Sequence, residues 1–230
     1  MSTISTADQK RNAAAVAVEY VQNKMLVGLG SGSTTEHALH FLSKRIKEGL
    51  RITGVPSSLA TAKLARRLKI PLVTDDAAFK KIDVTIDGAD EVDTQLNLIK
   101  GGGGAHTREK VVASRSDRVI IIVDEKKLVP QLGRFPLPVE VLPFGWHSTA
   151  AVIKALGARV LLRKKEGQPV RTDNGNFILD CNFRRLDDPA TLAEQIKSIV
   201  GVVETGLFLG MADLVVVGKK DGSVEEKWWA

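Results

Sequence analysis

Met25-Leu-Val-Gly-Leu-Gly-Ser-Gly-Ser-Thr-Thr35 is the stretch that decides the fold. Its first five residues form a short apolar run of the kind buried on both faces of a sheet, and they pass directly into a turn of glycines and hydroxyl side chains. Glu36 to Glu48 then carries helical periodicity and stops at Gly49. Strand, turn and helix recur around this stretch. Ala7 to Val21 precedes it as an alanine-rich helix, and Arg51 to Val55 follows as a strand. Ser57 and Ser58 offer an N-cap for a helix reaching Leu68. Leu72-Val73, Val84-Thr-Ile86 and Arg118-Val-Ile-Ile-Ile-Val123 complete the series of strands, the last being the most apolar. Such alternation predicts an α/β fold with a parallel sheet.

Beyond residue 130 the pattern changes. Gln131 to Pro143 holds three prolines and one glycine and reads as a hinge or linker. After it come a helix from Ser148 to Leu156, an extended Ala158 to Arg163 and a turn at Asp173-Asn-Gly-Asn. A strand from Phe177 to Asp180, a helix from Pro189 to Ile199 and an extended Val202 to Phe208 finish this part. The string suggests a small α+β domain of the split βαβ kind. Ala212 to Gly218 is again a buried type of strand, able to rejoin the first sheet. The expected domains are therefore 1–133 plus 207–230, and 134–206.

Composition narrows the function classes. The chain has 230 residues, 43% apolar and 26% charged, within the range of globular proteins. A single cysteine, Cys181, excludes an internal disulfide framework and suits a reducing compartment. No stretch reads as a membrane span, and Met1 to Lys10 is polar without an apolar signal core, so the expected location is the cytoplasm. The net charge of +6 is scattered in short clusters such as Arg66-Arg67, Lys80-Lys81 and Arg163 to Lys165. With no zinc-finger spacing, RNP-like motif or long basic helix, it points to small anionic substrates and away from nucleic acid.

Four segments carry residue types suited to chemistry. Gly28-Leu-Gly-Ser-Gly-Ser-Thr-Thr35 opens a helix, where backbone N–H groups and the helix dipole favour an anion. It lacks the Gly-Lys-Ser/Thr of a P-loop, and Ser33 stands where a dinucleotide fingerprint needs its third glycine. A small-molecule phosphate suits it better. Asp87-Gly-Ala-Asp-Glu-Val-Asp93 follows a strand, at the carboxyl end where open α/β sheets bind ligands, and crowded acids suit acid/base work or magnesium. Lys100-Gly-Gly-Gly-Gly-Ala-His-Thr-Arg-Glu-Lys110 sets a lysine before four glycines and a glutamate after them. There Thr107 can cap a helix starting near Arg108, Glu109 falls in its first turn, and Lys100 suits a developing oxyanion. Asp124-Glu-Lys-Lys127 returns lysines to the same end of the sheet. His37 and His40 read as surface residues, Cys181 as core, and Trp228 and Trp229 as cover for an apolar surface or an oligomer contact.

In order and spacing these segments resemble the ribose-5-phosphate isomerases of the A type. The residues that carry the likeness are Gly30-Ser-Gly-Ser-Thr34, Asp87-Gly-Ala-Asp-Glu91, Lys100-Gly-Gly-Gly103, Thr107-Arg-Glu-Lys110, Phe135-Pro-Leu-Pro-Val-Glu140, Thr172-Asp-Asn-Gly-Asn176 and Gly201-Val-Val-Glu-Thr-Gly206. The resemblance implies a Rossmann-like, mostly parallel sheet domain with a smaller ferredoxin-like α+β domain. It implies interconversion of ribose 5-phosphate and ribulose 5-phosphate without metal or organic cofactor, in a homodimer or homotetramer. Glu109 becomes the base that moves a proton between C1 and C2 through an enediolate, assisted by Asp87, Asp90 and Lys100. Substrate is expected at Ser31, Gly32, Ser33, Thr34, Asp87, Gly88, Ala89, Asp90, Lys100, Gly101, Gly102, Gly103 and Lys127. Lys10 is a further candidate phosphate neighbour outside this set. Gly104 and His106 depart from the family pattern, which has alanine and a bulkier apolar residue there; they make the loop more permissive and add a titratable ring near the base. Two other readings compete: a metal-dependent phosphosugar hydrolase or lactonase, and a sugar-phosphate-sensing module.

Overall fold

Five of the apolar runs pair in parallel in the computed structural model, which describes residues 3–74 and 81–229. Strand β1 (Leu26–Leu29) lies between β2 (Thr53–Pro56) and β3 (Val84–Asp87). Strand β3 pairs with β6 (Val119–Asp124), and β6 with β14 (Leu214–Gly218). The last strand, β15 (Val224–Trp228), returns antiparallel on β14, giving the order β15-β14-β6-β3-β1-β2. Strands β3, β6 and β14 are buried at every position, which a parallel strand achieves with apolar cover on both faces. One face carries Ile86, Ile120, Ile122, Leu214 and Val216 into a core with Ala13, Ala14 and Ala17 of α1 (Thr6–Ala17) and Leu39 and Leu42 of α2 (Ser33–Lys47). Helix α3 (Leu59–Arg67) begins where expected, with the Ser58 side chain accepting from the Thr61 N–H. Lys81 pairs with Asp117 at 2.8 Å on the surface; its neighbour Lys80 lies outside the described residues.

The chain divides into two compact units, Met1–Ala89 with Arg108–Leu128 and Gly210–Ala230, and Asp90–Thr107 with Val129–Leu209. Relative to the expected boundaries, the second unit also takes in 90–107, 129–133 and 207–209. The first and last of these segments form its own three-stranded sheet of β4 (Glu91–Val92), β5 (Leu98–Ile99) and β13 (Leu207–Phe208). The rest of the second unit follows the order β7 (Leu137–Val141), α5 (Trp146–Ala155), β8 (Arg159–Leu162), β11 (Phe177–Asn182), α6 (Pro189–Lys197) and β12 (Val202–Thr205). A two-stranded ribbon, β9 (Lys164–Lys165) and β10 (Gln168–Pro169), follows β8. The antiparallel sheet runs β12-β7-β11-β8, so its strands lie fourth, first, third and second in chain order, the split βαβ arrangement of a ferredoxin-like domain. Helix α4 (His106–Ala113) starts in this unit and ends in the first.

The proline-rich run Gln131 to Pro143 is not a linker. It contains β7, buried at all five positions and paired on both sides. A proline inside a paired strand normally forfeits a ladder bond. Here the place opposite Pro138 is Gly206, whose N–H donates to the Pro138 carbonyl at 2.7 Å. The Gly206 carbonyl, which would have sought the missing N–H, accepts from Lys100 N–H at 2.9 Å. Proline thus stands where the ladder ends and another chain segment takes over.

Candidate active site

In the first unit, parallel pairing of β1, β3 and β6 carries Ser31, Asp87 and Lys127 to one carboxyl edge. Gly30 passes so close to β3 that a Cβ on it would stand 2.1 Å from Asp87 Oδ1. The absence of a side chain there lets Asp87, 2% exposed, accept from Ser31 N–H at 3.1 Å and Gly88 N–H at 2.7 Å. The hydroxyl of Ser31 turns the other way, into a cluster with Ser58 at 2.8 Å and Ser57 and Thr61 at 3.0 Å. Gly32, with φ +96°, then opens α2, followed by an exposed Ser33 and a half-buried Thr34. Lys10 Nζ lies 3.0 Å from Ser33 Oγ. A helix N-terminus with a lysine and hydroxyls beside it suits a phosphate dianion.

Lys127 ends the short turn Glu125–Lys127 after β6, capped by the Asp124 side chain on the Lys126 N–H. Its neighbours are engaged elsewhere: Glu125 pairs with Lys220 at 2.6 Å, and Lys126 reaches the Thr6 hydroxyl at 3.4 Å. Glu109 sits in α4 and is 6% exposed, a carboxylate largely removed from water. Thr107 does not cap this helix, which already begins at His106; its hydroxyl donates to Glu140 instead.

In the second unit the acidic run separates into distinct tasks. Asp93 closes the β4–β5 turn by accepting from the N–H groups of Gln95 at 2.9 Å and Asn97 at 2.8 Å. Glu91, buried, accepts from Gly133 N–H at 2.8 Å and Phe135 N–H at 2.6 Å and so fixes the approach to β7. Asp90 donates its own N–H to Ile99 at 2.8 Å, which puts it at the same end of the ladder as Lys100. Lys100 is buried, with Nζ 5.4 Å from the centroid of Phe208. Among the described residues, no three His, Cys, Asp or Glu side chains cluster as a metal site.

The glycine run forms a tied turn rather than the permissive loop expected from Gly104 and His106. Gly104 N–H closes on the Gly101 carbonyl at 3.0 Å, with Gly101 at φ +108° and Gly104 at φ +81°. Gly102 N–H donates to Asp90 Oδ2 at 2.7 Å. A Cβ on Gly101 would lie 2.7 Å from His106 Nδ1, so the fully buried imidazole packs on bare backbone, with Nε2 3.4 Å from the Glu204 carbonyl.

Two side chains here carry no role in the sequence reading. Arg163 holds Asp180 and reaches two carbonyls of the glycine run. Glu140, the fourth residue of β7, gathers Thr107, Thr172, Asn174 and Asn176. Burial pushes its carboxyl up, but those donors reverse the effect and leave it below the ordinary range. Basic-cluster membership hid the first, and the second stood in a supposed linker. Elsewhere, burial and then the neighbouring His40 depress His37, which is half-buried, while His40 is exposed as expected.

Residues 53–222 match the family described as Ribose 5-phosphate isomerase A (phosphoriboisomerase A). The chain is 51% identical to "Ribose-5-phosphate isomerase A" of Cereibacter sphaeroides, covering 97% of this chain and 91% of that one. It is 52% identical to the protein of the same name from Chloroflexus aurantiacus, covering 96% and 94%. Among solved structures, a D-ribose-5-phosphate isomerase in complex with phospho-erythronic acid superposes with a TM-score of 0.94 at 40% identity, covering 98% of this chain and 100% of that one. Ribose 5-phosphate isomerase A of Methanocaldococcus jannaschii gives 0.91 at 42% identity, covering 97% and 100%.

Proposed function

The chain belongs to the ribose 5-phosphate isomerase A family and is an aldose–ketose isomerase of D-ribose 5-phosphate and D-ribulose 5-phosphate; from that premise we propose which residues carry the reaction. Glu109 takes the proton from C2 of the open-chain aldose. The electrons of that bond form the C1–C2 double bond of an enediolate charged at O1; a proton then passes from O2 to O1, and as C2–O2 becomes the carbonyl, C1 takes its proton back from Glu109. Lys100 stabilises the negative charge on the oxygens, and Asp87 and Asp90 move protons there. A C–H beside a carbonyl is weakly acidic, so the enediolate needs this stabilisation as much as a base.

The phosphate is held at the N-terminus of α2 by Gly32, Ser33 and Thr34, with Lys10 added to the set. Lys127 and the backbone at Gly88, Ala89, Gly101, Gly102 and Gly103 complete the contacts with the sugar. Ser31 serves through its N–H and its hydroxyl cluster, fixing the turn next to Asp87. The observation that carries the reading is the carboxyl edge of the first sheet, where Asp87 is fixed beside the N-terminus of α2, whose Ser33 meets Lys10 of α1. A cytoplasmic homodimer or homotetramer is part of the proposal. Two nearly fully exposed apolar side chains, Phe144 and Val200, support self-association, and light scattering decides it.

The test is turnover of ribose 5-phosphate by EDTA-treated protein in deuterated water. Ketose carrying deuterium at C1 supports the enediolate route, and no conversion overturns it. In the same assay Glu109→Gln should lower kcat by about 10²–10⁴-fold with little change in KM. Near-normal kcat would remove Glu109 from the role of base.

A further inference from the structure

Arg163 lies outside every motif of the family resemblance, yet its guanidinium is fully directed. Nε and Nη2 grip the two oxygens of Asp180 at 3.0 and 2.5 Å. Nη1 donates to the carbonyls of Gly101 at 2.8 Å and Gly102 at 3.1 Å. The side chain is 16% exposed, so solvent competes little for its bonds to Asp180 and the Gly101 carbonyl.

The Gly101 carbonyl and the Gly102 N–H are the two ends of one peptide group. At the carbonyl end stands the Arg163 cation; at the N–H end stands Asp90 Oδ2, only 2.7 Å from the nitrogen. A cation on a carbonyl polarises the amide and strengthens the bond its N–H donates, the cooperativity expected along a chain of hydrogen bonds. An ion pair with Asp180 alone would need neither glycine carbonyl. We propose that Arg163 is a positioning residue that fixes the Asp90 carboxylate through the peptide group joining Gly101 and Gly102, with Asp180 as the brace that aims it. This rests on the assignment of Asp90 to the chemistry.

The guanidinium fork is essential to the geometry. It satisfies two carboxylate oxygens and two carbonyls from one rigid plane, which a lysine ammonium cannot copy. Arg163→Met should therefore lower kcat by about tenfold to a hundredfold, the scale of a misplacement near 1 Å, with KM changed less than about threefold. Arg163→Lys should recover part of the loss by restoring a donor to Gly101.

A double-mutant cycle with Asp90→Asn decides the mechanism. If Arg163 acts through Asp90, Arg163→Met adds little, less than about twofold, once Asp90→Asn is present. Losses that multiply overturn the proposal. The Gly102 amide proton supplies a readout independent of turnover: it should move upfield in Arg163→Met and stay nearer its wild-type position in Arg163→Lys. An unmoved resonance also overturns the proposal. Should Asp90→Asn retain full kcat, it is the assignment of Asp90 that falls, while the Gly102 resonance still judges the positioning. If Arg163→Met fails to fold, Asp180→Asn takes its place, with a smaller loss of kcat and the same non-additivity expected.

Discussion

Glu140→Gln replaces the carboxylate at the centre of the small sheet with an amide of nearly the same shape. Glu140 is fully buried, and its Oε1 accepts from Thr172 Oγ1 at 2.9 Å, Asn174 Nδ2 at 3.1 Å and Asn176 Nδ2 at 2.8 Å. Oε2 accepts from Thr107 Oγ1 at 2.5 Å. With its oxygen turned toward the asparagines, glutamine keeps the first three bonds without their charge, and its NH₂ forces Thr107 to turn and accept. A hydrogen bond to a charged group contributes about 1.5–3 kcal/mol against about 0.5–1.5 kcal/mol for a neutral one, so each of the three loses about 1 kcal/mol. Removing a buried charge offsets part of that sum. About 2 kcal/mol remains, and at about 2–4 °C per kcal/mol for a chain of this size the melting temperature should fall by about 4–8 °C at pH 7. The pH dependence has a definite sign. The folded carboxyl sits below its ordinary value of 4.5, so its stabilisation is complete above that pH and disappears as pH falls through the folded value. Thermal melts followed by circular dichroism at pH 7, 5, 4 and 3.5 should show the gap between wild type and variant narrowing below about pH 4.5. Equal melting temperatures at pH 7, or a gap that persists into acid, would refute the reasoning.

Other expectations are simpler to check. Gly30→Ala drives a Cβ into the Asp87 carboxylate, 2.1 Å from Oδ1, and should cost at least about tenfold in kcat with helix and sheet content retained; wild-type turnover would show that the position of Asp87 is unimportant. His106→Leu should keep kcat within about threefold, because the fully buried ring packs on Gly101 and an apolar side chain of similar volume serves there. A collapse of turnover in that variant would make the imidazole a participant. Burial, and then the charge of Asp180, push the Cys181 thiol up to about 12. Ellman's reagent at pH 8 should therefore find no thiol in the folded protein and a single thiol in guanidinium chloride; rapid labelling of the native chain would contradict its burial.

Much of the first unit was legible because parallel strands share one direction. Once Met25–Leu29, Val84–Ile86 and Val119–Val123 read as strands of a parallel sheet, the residues after each had to meet at one edge, and Ser31, Asp87 and Lys127 do. Helix starts followed from local chemistry, as with Ser58 on the Thr61 N–H. The second unit was harder because its rules are non-local. Proline at 138 argues against a central strand unless Gly206 and Lys100 relieve it, and neither is near in sequence. Strands of two residues, β4, β5 and β13, are too short to show periodicity, and their pairing moves Asp90 and Lys100 into the second unit. Strand β15 is hidden for another reason: the mixed acidic and basic residues of Val224–Trp228 give no apolar run, although they pair along the whole of β14.

The same contrast explains which candidate site residues a sequence reveals. Lys100, Asp90 and the glycines stand out because their residue types are unusual where they occur. What holds them is ordinary in type and distant along the chain. Arg163 belongs to a basic cluster, but β8 lies beside β11, and this adjacency lets its side chain reach both Asp180 and the glycine carbonyls 61 and 62 residues away. A run of glycines loses more conformational freedom on folding than any other sequence of its length, so external bonds are needed to fix it. Here Arg163 holds the carbonyls, Asp90 holds the Gly102 N–H and the Gly104 N–H closes the turn. The entropic weakness that made the run conspicuous is therefore also the reason that an arginine, inconspicuous in the sequence, is required beside it.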